Sequence, residues 1–400
     1  MGQISIGVDI GKTGHYVIAL DEAGSKIRAH ELANTQSAID DLVAFAASND
    51  GSVVVDQPTG GAALLIQACW DAGVSVGYLH GLAMARARDF YEGEAKTDPK
   101  DAFVIADVAR THPSRIVTLI PSVEERAKLE LLCGRDEDLR SDATRITNRL
   151  RALLVAHWPT LETALDKRFR SRAVLQMLAA YPDPESLRRA GKTRLITFLT
   201  NRRLRNADTF VARVLDAIAS QRTIITGSSA VGPLIAEIAA DLDRILERRD
   251  TIEKEIEQCF FALPEAEILL SLPGVGARTG ARMLVEISDV VRFPTPSKLA
   301  AFAGLGPSDR QSGSSIRNTV PTRRGNHRLK NAMFLTAFAS LKHPPSRTYY
   351  DRKRAAGKRH NEAILCLARR RVDVIHAMLT RKELYRWSPP PTPQETIQAA

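Results

Sequence analysis

The chain has 400 residues, of which 44% are hydrophobic and 26% are charged, so its composition excludes a disordered protein and its length predicts two or three domains. It has no apolar run long enough for a transmembrane helix, no secretion signal at its start and no CxxC motif, which excludes a disulfide scaffold and favours a reducing cytosol. The net charge of +10 is uneven: residues 306–386 contain 19 basic and 5 acidic residues, and the rest of the chain sums to −4. Such a basic segment indicates binding to a polyanion such as nucleic acid, with a solvated helical surface as the alternative.

The first 121 residues alternate strand and helix patterns and predict an α/β domain with a mixed sheet. The segments QISIGVDI and HYVIALDEAG are typical of two strands joined by a turn at residues 11–14, which makes a hairpin. SVVVDQPTGG follows as a short buried strand, ALLIQACWDAG as a helix and VSVGYLHG as a further strand.

Strand patterns stop after residue 121, and residues 122–262 predict a helical, coiled-coil region that begins with a long charged helix over 123–157. A later helix carries a short heptad-like series: Leu234, Ile238, Leu242, Ile245, Arg249, Ile252 and Ile256. The series fits either a helix packed within the chain or a two-helix arm for self-association. Residues 263–386 predict a basic, all-α domain, and residues 387–400 a Pro-rich tail.

Four acidic residues of the first domain are candidate metal ligands. Asp9 lies within an apolar strand, where a carboxylate is costly to bury unless it is paired or binds a cation. Asp56 ends a second apolar strand, and Asp98 and Asp101 share one face of a helix. Such a set suits a pair of Mg²⁺ ions in phosphodiester chemistry. As alternatives, Asp56 fits a turn, and Asp98 fits a helix N-cap with Asp101 completing a capping box. Asp107 is a spare candidate.

Residues 9–13, DIGKT, also match the DxGxT phosphate loop of sugar kinases and actin-like ATPases. A five-residue match is weak support, because ribonuclease H-like and actin-like folds open with the same hairpin. The second half of the chain has no further phosphate loop and is helical and basic, whereas a kinase would repeat the α/β fold.

Residues 272–287, LPGVGARTGARMLVEI, are typical of a helix–hairpin–helix turn. Gly274 and Gly276 permit a tight turn, and the amides at the start of the following helix could then hold a DNA phosphate without reading bases. A plain connection between two helices is the alternative.

The stretch from Leu299 to Phe334 contains a glycine-rich loop in which Ser312 is followed by a glycine. Basic side chains follow it: Arg317, Arg323, Arg324, Arg328 and Lys330. A serine beside arginines suits a hydroxyl that attacks a phosphodiester while guanidinium groups neutralise the developing charge. A polar loop that touches phosphates is the alternative.

Together these segments resemble, over nearly the whole chain, the transposases of the insertion-sequence-110 family, which are related to the Piv DNA invertase. The acidic tetrad of the family matches Asp9 in GVDIGK, Asp56 in VVVDQPTG, and Asp98 and Asp101 in KTDPKDA. The segments GLGPSDRQSG, RRGNHRLKNA and GKRHNEAILCLARRRVDVIHAML resemble its C-terminal transposase domain. Two features depart from a simple match. Asp56 stands where the family usually has Glu, so its reach is shorter by one methylene. Ser314 and Ser315 lie close to Ser312, the serine that matches the motif.

The resemblance implies a RuvC-like (ribonuclease H-like) DEDD domain over 1–121, a helical coiled-coil insertion over 122–262, and an all-α transposase domain with a helix–hairpin–helix-like segment over 263–386. It also implies Mg²⁺ at the tetrad, Ser312 as the nucleophile, donor and target DNA as substrates, and a guide RNA encoded by the element. The active site would be shared within a dimer or tetramer, in the cytoplasm at the nucleoid.

Two other functions remain open on the residues alone. A RuvC-like, structure-specific nuclease would use the four carboxylates and water, and would tolerate loss of Ser312. A non-catalytic DNA- or RNA-binding protein would need only the basic segment.

Overall fold

The computed structural model describes residues 4–91, 97–121, 123–312, 316–321 and 325–387, with the backbone alone for residue 82 and for residues 307–312 and 316–321. The chain divides between Val123 and Glu124 into two compact units. None of the described helices is both long and apolar enough to cross a membrane.

The described part of the first unit contains one mixed sheet of six strands, in the order β3-β2-β1-β4-β5-β6. The strands are β1 (Ser5–Ile10), β2 (Gly14–Leu20), β3 (Lys26–Ala33), β4 (Ser52–Val55), β5 (Val76–Leu79) and β6 (Ile116–Thr118). β1, β4 and β5 run parallel, whereas β2 is antiparallel to β1 and β3, and β6 is antiparallel to β5. The mixed sheet and the opening hairpin predicted from the sequence are therefore confirmed.

Helices cover both faces of this sheet: α1 (Gln36–Ser48), α2 (Ala63–Asp71), α3 (Gly81–Arg88) and α4 (Asp98–Thr111). Successive side chains of β1 point to opposite faces of the sheet, so the strand contacts a different set of helices on each face. Ile6, Val8 and Ile10 join the core formed with α1 and α2. Gly7 lies on the other face, where α4 packs against β1. The polar strand ends therefore lie next to α4 and not within the apolar core.

The second unit begins with a group of helices: α5 (Glu124–His157), α6 (Pro159–Leu165), α7 (Arg172–Ala180), α8 (Pro184–Asn201), α9 (Ala207–Ser220) and α10 (Ser228–Phe261). The two longest, α5 and α10, pack along each other. Leu242 and Ile256 of the heptad-like series are buried, and Arg249 Nε donates to Asp136 Oδ1 of α5 at 3.0 Å. Packing within the chain is confirmed at these positions, and self-association through this arm stays a prediction.

The unit continues with α11 (Glu265–Ser271), α12 (Ala277–Ile287), α13 (Pro296–Phe302), β7 (Pro307–Ser312), β8 (Ile316–Pro321), α14 (His327–Ala339), α15 (Pro344–Ala355) and α16 (His360–Arg381). The prediction of an all-α C-terminal domain is wrong, because β7 and β8 form an antiparallel hairpin. The sequence PSDRQS hides the first strand, since it has no alternation of apolar and polar residues. Pairing with the β-branched residues Ile316, Thr319 and Val320 instead makes this segment a strand.

Two cores lie within the described part of the second unit. α5 contributes Leu150 to one core and Leu129 to the other, and α10 likewise contributes Leu242 and Ile256. The two long helices therefore run through both cores. Separate domains at 122–262 and 263–386 stay a prediction, and residues 388–400 of the Pro-rich tail lie outside the described residues.

Candidate functional site

Asp9 and Asp56 lie side by side at the carboxyl ends of two parallel strands. Val8 pairs in register with Val55, so the next residue of each chain segment is an aspartate. Asp56 Oδ1 accepts a hydrogen bond from the backbone amide of Ile10 at 3.1 Å, which ties the end of β4 to the end of β1. Both carboxylates are half-buried. Parallel pairing has thus placed two acidic side chains at one edge of the sheet.

Gly7 allows α4 to approach this edge closely. A Cβ atom on Gly7 would lie 2.3 Å from the carbonyl oxygen of Ala102 and 2.4 Å from the amide nitrogen of Ala106. Only glycine permits such contact between a helix backbone and a strand. The helix that rests on Gly7 carries Asp98 and Asp101 in its first turn.

Asp101 is buried and engaged by an arginine. Its side chain is 3% exposed, and Arg88 of α3 lies against both of its oxygens. Arg88 Nη2 donates to Oδ2 at 3.0 Å, and Nε lies 2.9 Å from Oδ1 without hydrogen-bond alignment. The positive charge that a buried carboxylate requires is therefore supplied by the protein itself.

Asp98 occupies a different environment from Asp101. It is the first residue of α4 and is exposed, and Thr97 is the N-cap. The interpretation of Asp98 as the N-cap is therefore wrong, because the extended residue that precedes the helix is Thr97. Among the described residues, none forms an ion pair with Asp98. Asp107 contacts Arg110 at 2.6 Å and accepts a hydrogen bond from the Tyr91 hydroxyl at 2.5 Å, so this spare candidate has a structural role.

The carboxylates suit a hard divalent cation in their chemistry but not in their described arrangement. Burial raises the pKa of the Asp56 carboxyl, the negative charge of Asp101 adds to the rise, and the amide of Ile10 opposes it. The carboxylates of Asp56 and Asp101 therefore repel each other, and a cation between them would relieve this repulsion. However, no three acidic, histidine or cysteine side chains of the described chain stand close enough to hold a metal. Arg88 neutralises Asp101, and Asp98 points to solvent.

The sequence analysis missed two residues of this region. Arg88 ends a short helix, 81–88, whose only signal is a basic residue shortly before an acidic helix start. His15 of β2 is 4% exposed and pairs in register with Ile10, next to the carboxylates. Burial lowers the pKa of its imidazole, and the negative charge of Asp56 opposes this effect.

Ser312 is the last residue of β7 and pairs with Ile316 across the hairpin. The base of this hairpin is held tightly. The backbone amide of Asn326 donates to the carbonyl oxygen of Phe302 at 2.7 Å. A Cβ atom on Gly325 would lie 2.5 Å from the backbone nitrogen of Gly304. Ser312 therefore lies at the far end of a hairpin that is anchored to α13 and α14. Ser314 and Ser315 lie outside the described residues.

The candidate phosphate ligands are only partly described. Arg317 lies in β8 opposite Gln311. Arg328 is exposed and Lys330 is half-buried in the first turn of α14. Arg323 and Arg324 lie outside the described residues.

The segment 272–287 forms the predicted turn between two helices, α11 and α12. Gly274 has a φ of +86° and faces inward, since a Cβ atom there would lie 2.6 Å from both the Thr336 carbonyl oxygen and the Ser340 amide nitrogen. Gly276 is the exposed N-cap of α12, and its amide donates to Thr279 Oγ1 at 3.1 Å. Of the two glycines, only Gly276 presents its backbone at the start of an exposed helix end.

Comparisons with known proteins identify the family. A model of DEDD-type IS110 transposases, described as "Transposase", matches residues 6–159, and one described as "Transposase IS116/IS110/IS902 family" matches residues 266–351. The IS110 insertion-element protein of 43.6 kDa from Streptomyces coelicolor is 41% identical over 96% of this chain and 95% of its own length. The 42 kDa protein of IS900 from Mycobacterium paratuberculosis is 37% identical over 95% of this chain and 96% of its own.

A more distant relative has a name that refers to gene inversion. The pilin gene-inverting protein of Moraxella bovis is 28% identical over 32% of this chain and 42% of its own length. The first family model covers the six-stranded sheet and α5, and the second covers the β7–β8 hairpin that carries Ser312. The insertion-element relatives span nearly the whole chain. The chain therefore belongs to the IS110 family of transposases, which are enzymes of DNA transposition and recombination.

Proposed function

We propose that this transposase cuts and rejoins DNA through a covalent serine–DNA intermediate formed by Ser312, under the guidance of an RNA encoded by its element. The observation that carries the catalytic role of the first unit is that three carboxylate-bearing segments meet at one sheet edge. Asp9 and Asp56 lie at the carboxyl ends of adjacent parallel strands, and α4 packs across Gly7 with Asp101 close enough to Asp56 to affect its pKa.

The sheet supports a RuvC-like, ribonuclease H-like assignment for the first unit. The central strand β1 lies between an antiparallel β2 and a parallel β4, and helices cover both faces. Ligands of α/β sheets bind at the carboxyl ends of parallel strands, which is where Asp9 and Asp56 lie. The described part of the basic second half is mostly helical with one hairpin, and does not repeat the α/β fold that an actin-like phosphotransferase would need.

Asp9, Asp56, Asp98 and Asp101 are the proposed ligands of divalent ions, Mg²⁺ in the cell. Bound ions of this kind would polarise the phosphodiester and stabilise the leaving oxygen. In the described arrangement Asp101 belongs to Arg88, so Asp101 can serve as a ligand only after Arg88 moves away. Binding of an ion at Asp101 would therefore require a movement of α3 or of the Arg88 side chain.

Ser312 is the proposed nucleophile. Its Oγ would bond to the phosphorus, the bond from phosphorus to one deoxyribose oxygen would break, and that oxygen would leave as a hydroxyl carrying the serine proton. The phosphoserine ester retains the energy of the broken bond, so a hydroxyl of the recombining strand can attack it without ATP. The position of Ser312 at the end of an anchored hairpin supports this role, because the hairpin fixes the backbone that carries the serine.

The remaining proposed contacts concern phosphates. Gly276, with Gly274 shaping its turn, would present the start of α12 to the DNA backbone. Five basic side chains around the hairpin would neutralise phosphates near Ser312: Arg317, Arg323, Arg324, Arg328 and Lys330. Recognition of both DNA and guide RNA would then depend on shape and charge, with base pairing to the RNA selecting the site.

The test is to trap the intermediate in cells. Wild type and Ser312→Ala are expressed with the DNA that flanks the gene, and the cells are denatured and analysed for DNA covalently attached to the protein. We expect an adduct in wild type only, and none when the flanking DNA, which would encode the guide RNA, is left out. An adduct in both proteins would transfer the role to Ser314 or Ser315. Cleavage without any adduct would favour a water-using nuclease and contradict the proposal.

A second experiment tests whether protomers share the active site. Asp101→Asn protein is mixed with Ser312→Ala protein, each inactive alone. If the carboxylates and the serine act from different protomers of a dimer or tetramer, the mixture should regain part of the recombination activity. A mixture as inactive as its parts would place the whole site within one chain.

A further inference from the structure

Three basic side chains surround one aromatic ring where α15 meets α16. The charged heads of Arg352, Lys353 and Arg370 lie 5.1, 5.5 and 4.9 Å from the centre of the Tyr349 ring. Arg352 and Lys353 follow Tyr349 by three and four residues on α15, whereas Arg370 comes from α16. We call these four residues the Tyr349 cluster. They hold three positive charges on a small area of the surface.

No carboxylate of the described chain neutralises these three charges. Residues 344–381 contain 10 basic and 3 acidic residues, a net charge of +7. The acidic side chains are already engaged: Asp351 accepts from Arg347 at 2.9 Å, Asp373 from Arg369 at 2.6 Å, and Glu362 from the Arg359 backbone amide at 3.1 Å. Among the described residues, the contact of these three cations is therefore with the ring of Tyr349 and not with a carboxylate.

An ordinary solvated helix surface is organised differently in the same unit. On α5 and α8, exposed arginines pair with acids three or four residues away, as Arg140 does with Glu137, Arg145 with Asp142 and Arg189 with Glu185. Exposed pairs of that kind cancel their charge locally. The Tyr349 cluster concentrates charge of one sign, which raises the local concentration of anions.

The aromatic ring gives the cluster a defined geometry. Tyr349 is half-buried and packs against the core of the C-terminal part, so the ring is fixed. Cations over its face are held by the ring quadrupole while their outer N–H groups remain free for an acceptor. A set of pre-positioned donors without a carboxylate suits phosphate oxygens spaced along a nucleic-acid backbone.

We propose that the Tyr349 cluster binds the sugar–phosphate backbone of double-stranded DNA, independently of its sequence. DNA is the polyanion on which a transposase acts, and a duplex presents the dense negative charge that matches an unneutralised patch. The inference rests on membership of a DNA transposase family and not on the serine or guide-RNA proposals. It adds a contact surface outside the helix–hairpin–helix turn and the serine hairpin.

The test measures binding of the full-length, nucleic-acid-free protein to a random-sequence DNA duplex at a series of salt concentrations. In the variant Arg352→Gln/Lys353→Gln/Arg370→Gln we expect the slope of log affinity against log salt to become shallower by roughly 2 to 3, about one for each lost phosphate contact. Affinity near 0.1 M salt should fall by at least about tenfold. Thermal unfolding confirms that the variant remains folded, since the three side chains lie at the surface.

A control variant removes the same charge elsewhere. Arg140→Gln/Arg145→Gln/Arg189→Gln also lowers the net charge by three, but at ion-paired positions, and its slope should stay close to wild type. Equal slopes in the cluster and control variants would overturn the proposal. A loss of binding to an RNA duplex with unchanged binding to DNA would also overturn it, because RNA would then be the partner.

Two ring variants sharpen the result. Tyr349→Phe keeps the aromatic face and should bind like wild type, whereas Tyr349→Leu should lose roughly two- to fivefold in affinity because the cations lose their support. Equal binding by both would show that the ring plays no part and would contradict the geometry of the cluster. The assay measures equilibrium binding and not strand cleavage, so failure of the serine proposal would leave this one intact.

Discussion

Arg88 in the first unit and Arg370 in the second differ in the source of their counter-charge. Arg88 lies against both oxygens of Asp101, a buried carboxylate of the same chain. Arg370 lies over the ring of Tyr349, and no acidic side chain of the described chain pairs with it. The first arginine is thus neutralised inside the protein, and the second keeps its charge for a partner.

The difference follows from burial. Asp101 is 2% exposed, and a charge so far from water requires an opposite charge nearby. The Tyr349 cluster lies at the surface, where water and counterions solvate its charges until a polyanion replaces them. The internal ion pair therefore leaves no net charge for a partner, whereas the Tyr349 cluster keeps its positive charge at the surface.

Removing the internal counter-charge should have the largest effect on stability. Arg88→Gln leaves Asp101 buried and unpaired, and we expect the free energy of unfolding to fall by about 2 kcal/mol. The value is below that of a fully buried pair because the Arg88 side chain is 31% exposed. Thermal denaturation measures the loss, and Arg88→Gln/Asp101→Asn should recover most of it, because both charges are then absent.

The same variant tests the carboxylates as cation ligands. With Arg88 gone, Mn²⁺ or Mg²⁺ can pair with Asp56 and Asp101, so these ions should raise the melting temperature of Arg88→Gln more than that of wild type. Asp56→Asn in the Arg88→Gln background should abolish the difference. If the ions affect Arg88→Gln and wild type equally, the pair is purely structural and the proposed metal ligands are wrong.

A carboxylate can also be added next to the Tyr349 cluster, which has none. Thr348→Glu places a carboxylate four residues before Arg352 on the exposed side of α15, the spacing at which Arg347 and Asp351 already pair. The new ion pair should make the salt slope of DNA binding shallower by about 1 and weaken binding severalfold. Thr348→Gln, which adds the same bulk without charge, should bind like wild type. Similar weakening by both variants would point to a steric effect.

The smallest expected effect concerns Asp56 and pH. Because burial and Asp101 raise the pKa of the Asp56 carboxyl, ionisation of Asp56 destabilises the folded state as pH rises through that pKa. Asp56→Asn keeps the acceptor for the Ile10 amide and should raise the melting temperature by a few degrees at pH 7.5. The difference should shrink as pH falls below about 3, where aspartate is protonated in both the folded and the unfolded chain. A gain that is independent of pH would contradict the electrostatic cause.

Much of the fold was predictable because its elements bury alternating or helical apolar patterns. β1, β2, β4 and β5 carry apolar runs, and α5 follows the charged pattern between residues 123 and 157. β3 escaped prediction because it lies at the sheet edge and most of its residues, KIRAHELA, are exposed. The β7–β8 hairpin escaped for a similar reason, since its polar strands are defined by their pairing with each other.

The candidate site divides in the same way. Asp9, Asp56, Asp98 and Asp101 stand out in the sequence because each is a carboxylate at the end of an apolar or helical segment. Their different environments depend on contacts between distant segments: the approach of α4 to Gly7, the ion pair of Asp101 with Arg88, and the exposure of Asp98 at the first turn. No local pattern carries that information.

The sequence by itself therefore determined the family and the basic character of the C-terminal segment, and it is the source of the proposal for the four carboxylates and Ser312, because residue type and spacing are local properties. Only the tertiary structure decided which charges are neutralised and which are not. Asp101 meets Arg88 because two helices pack together, and Arg370 meets Tyr349 because α15 and α16 lie side by side. Electrostatic interactions depend on distance and burial, and both are set by packing between segments that are separated along the chain.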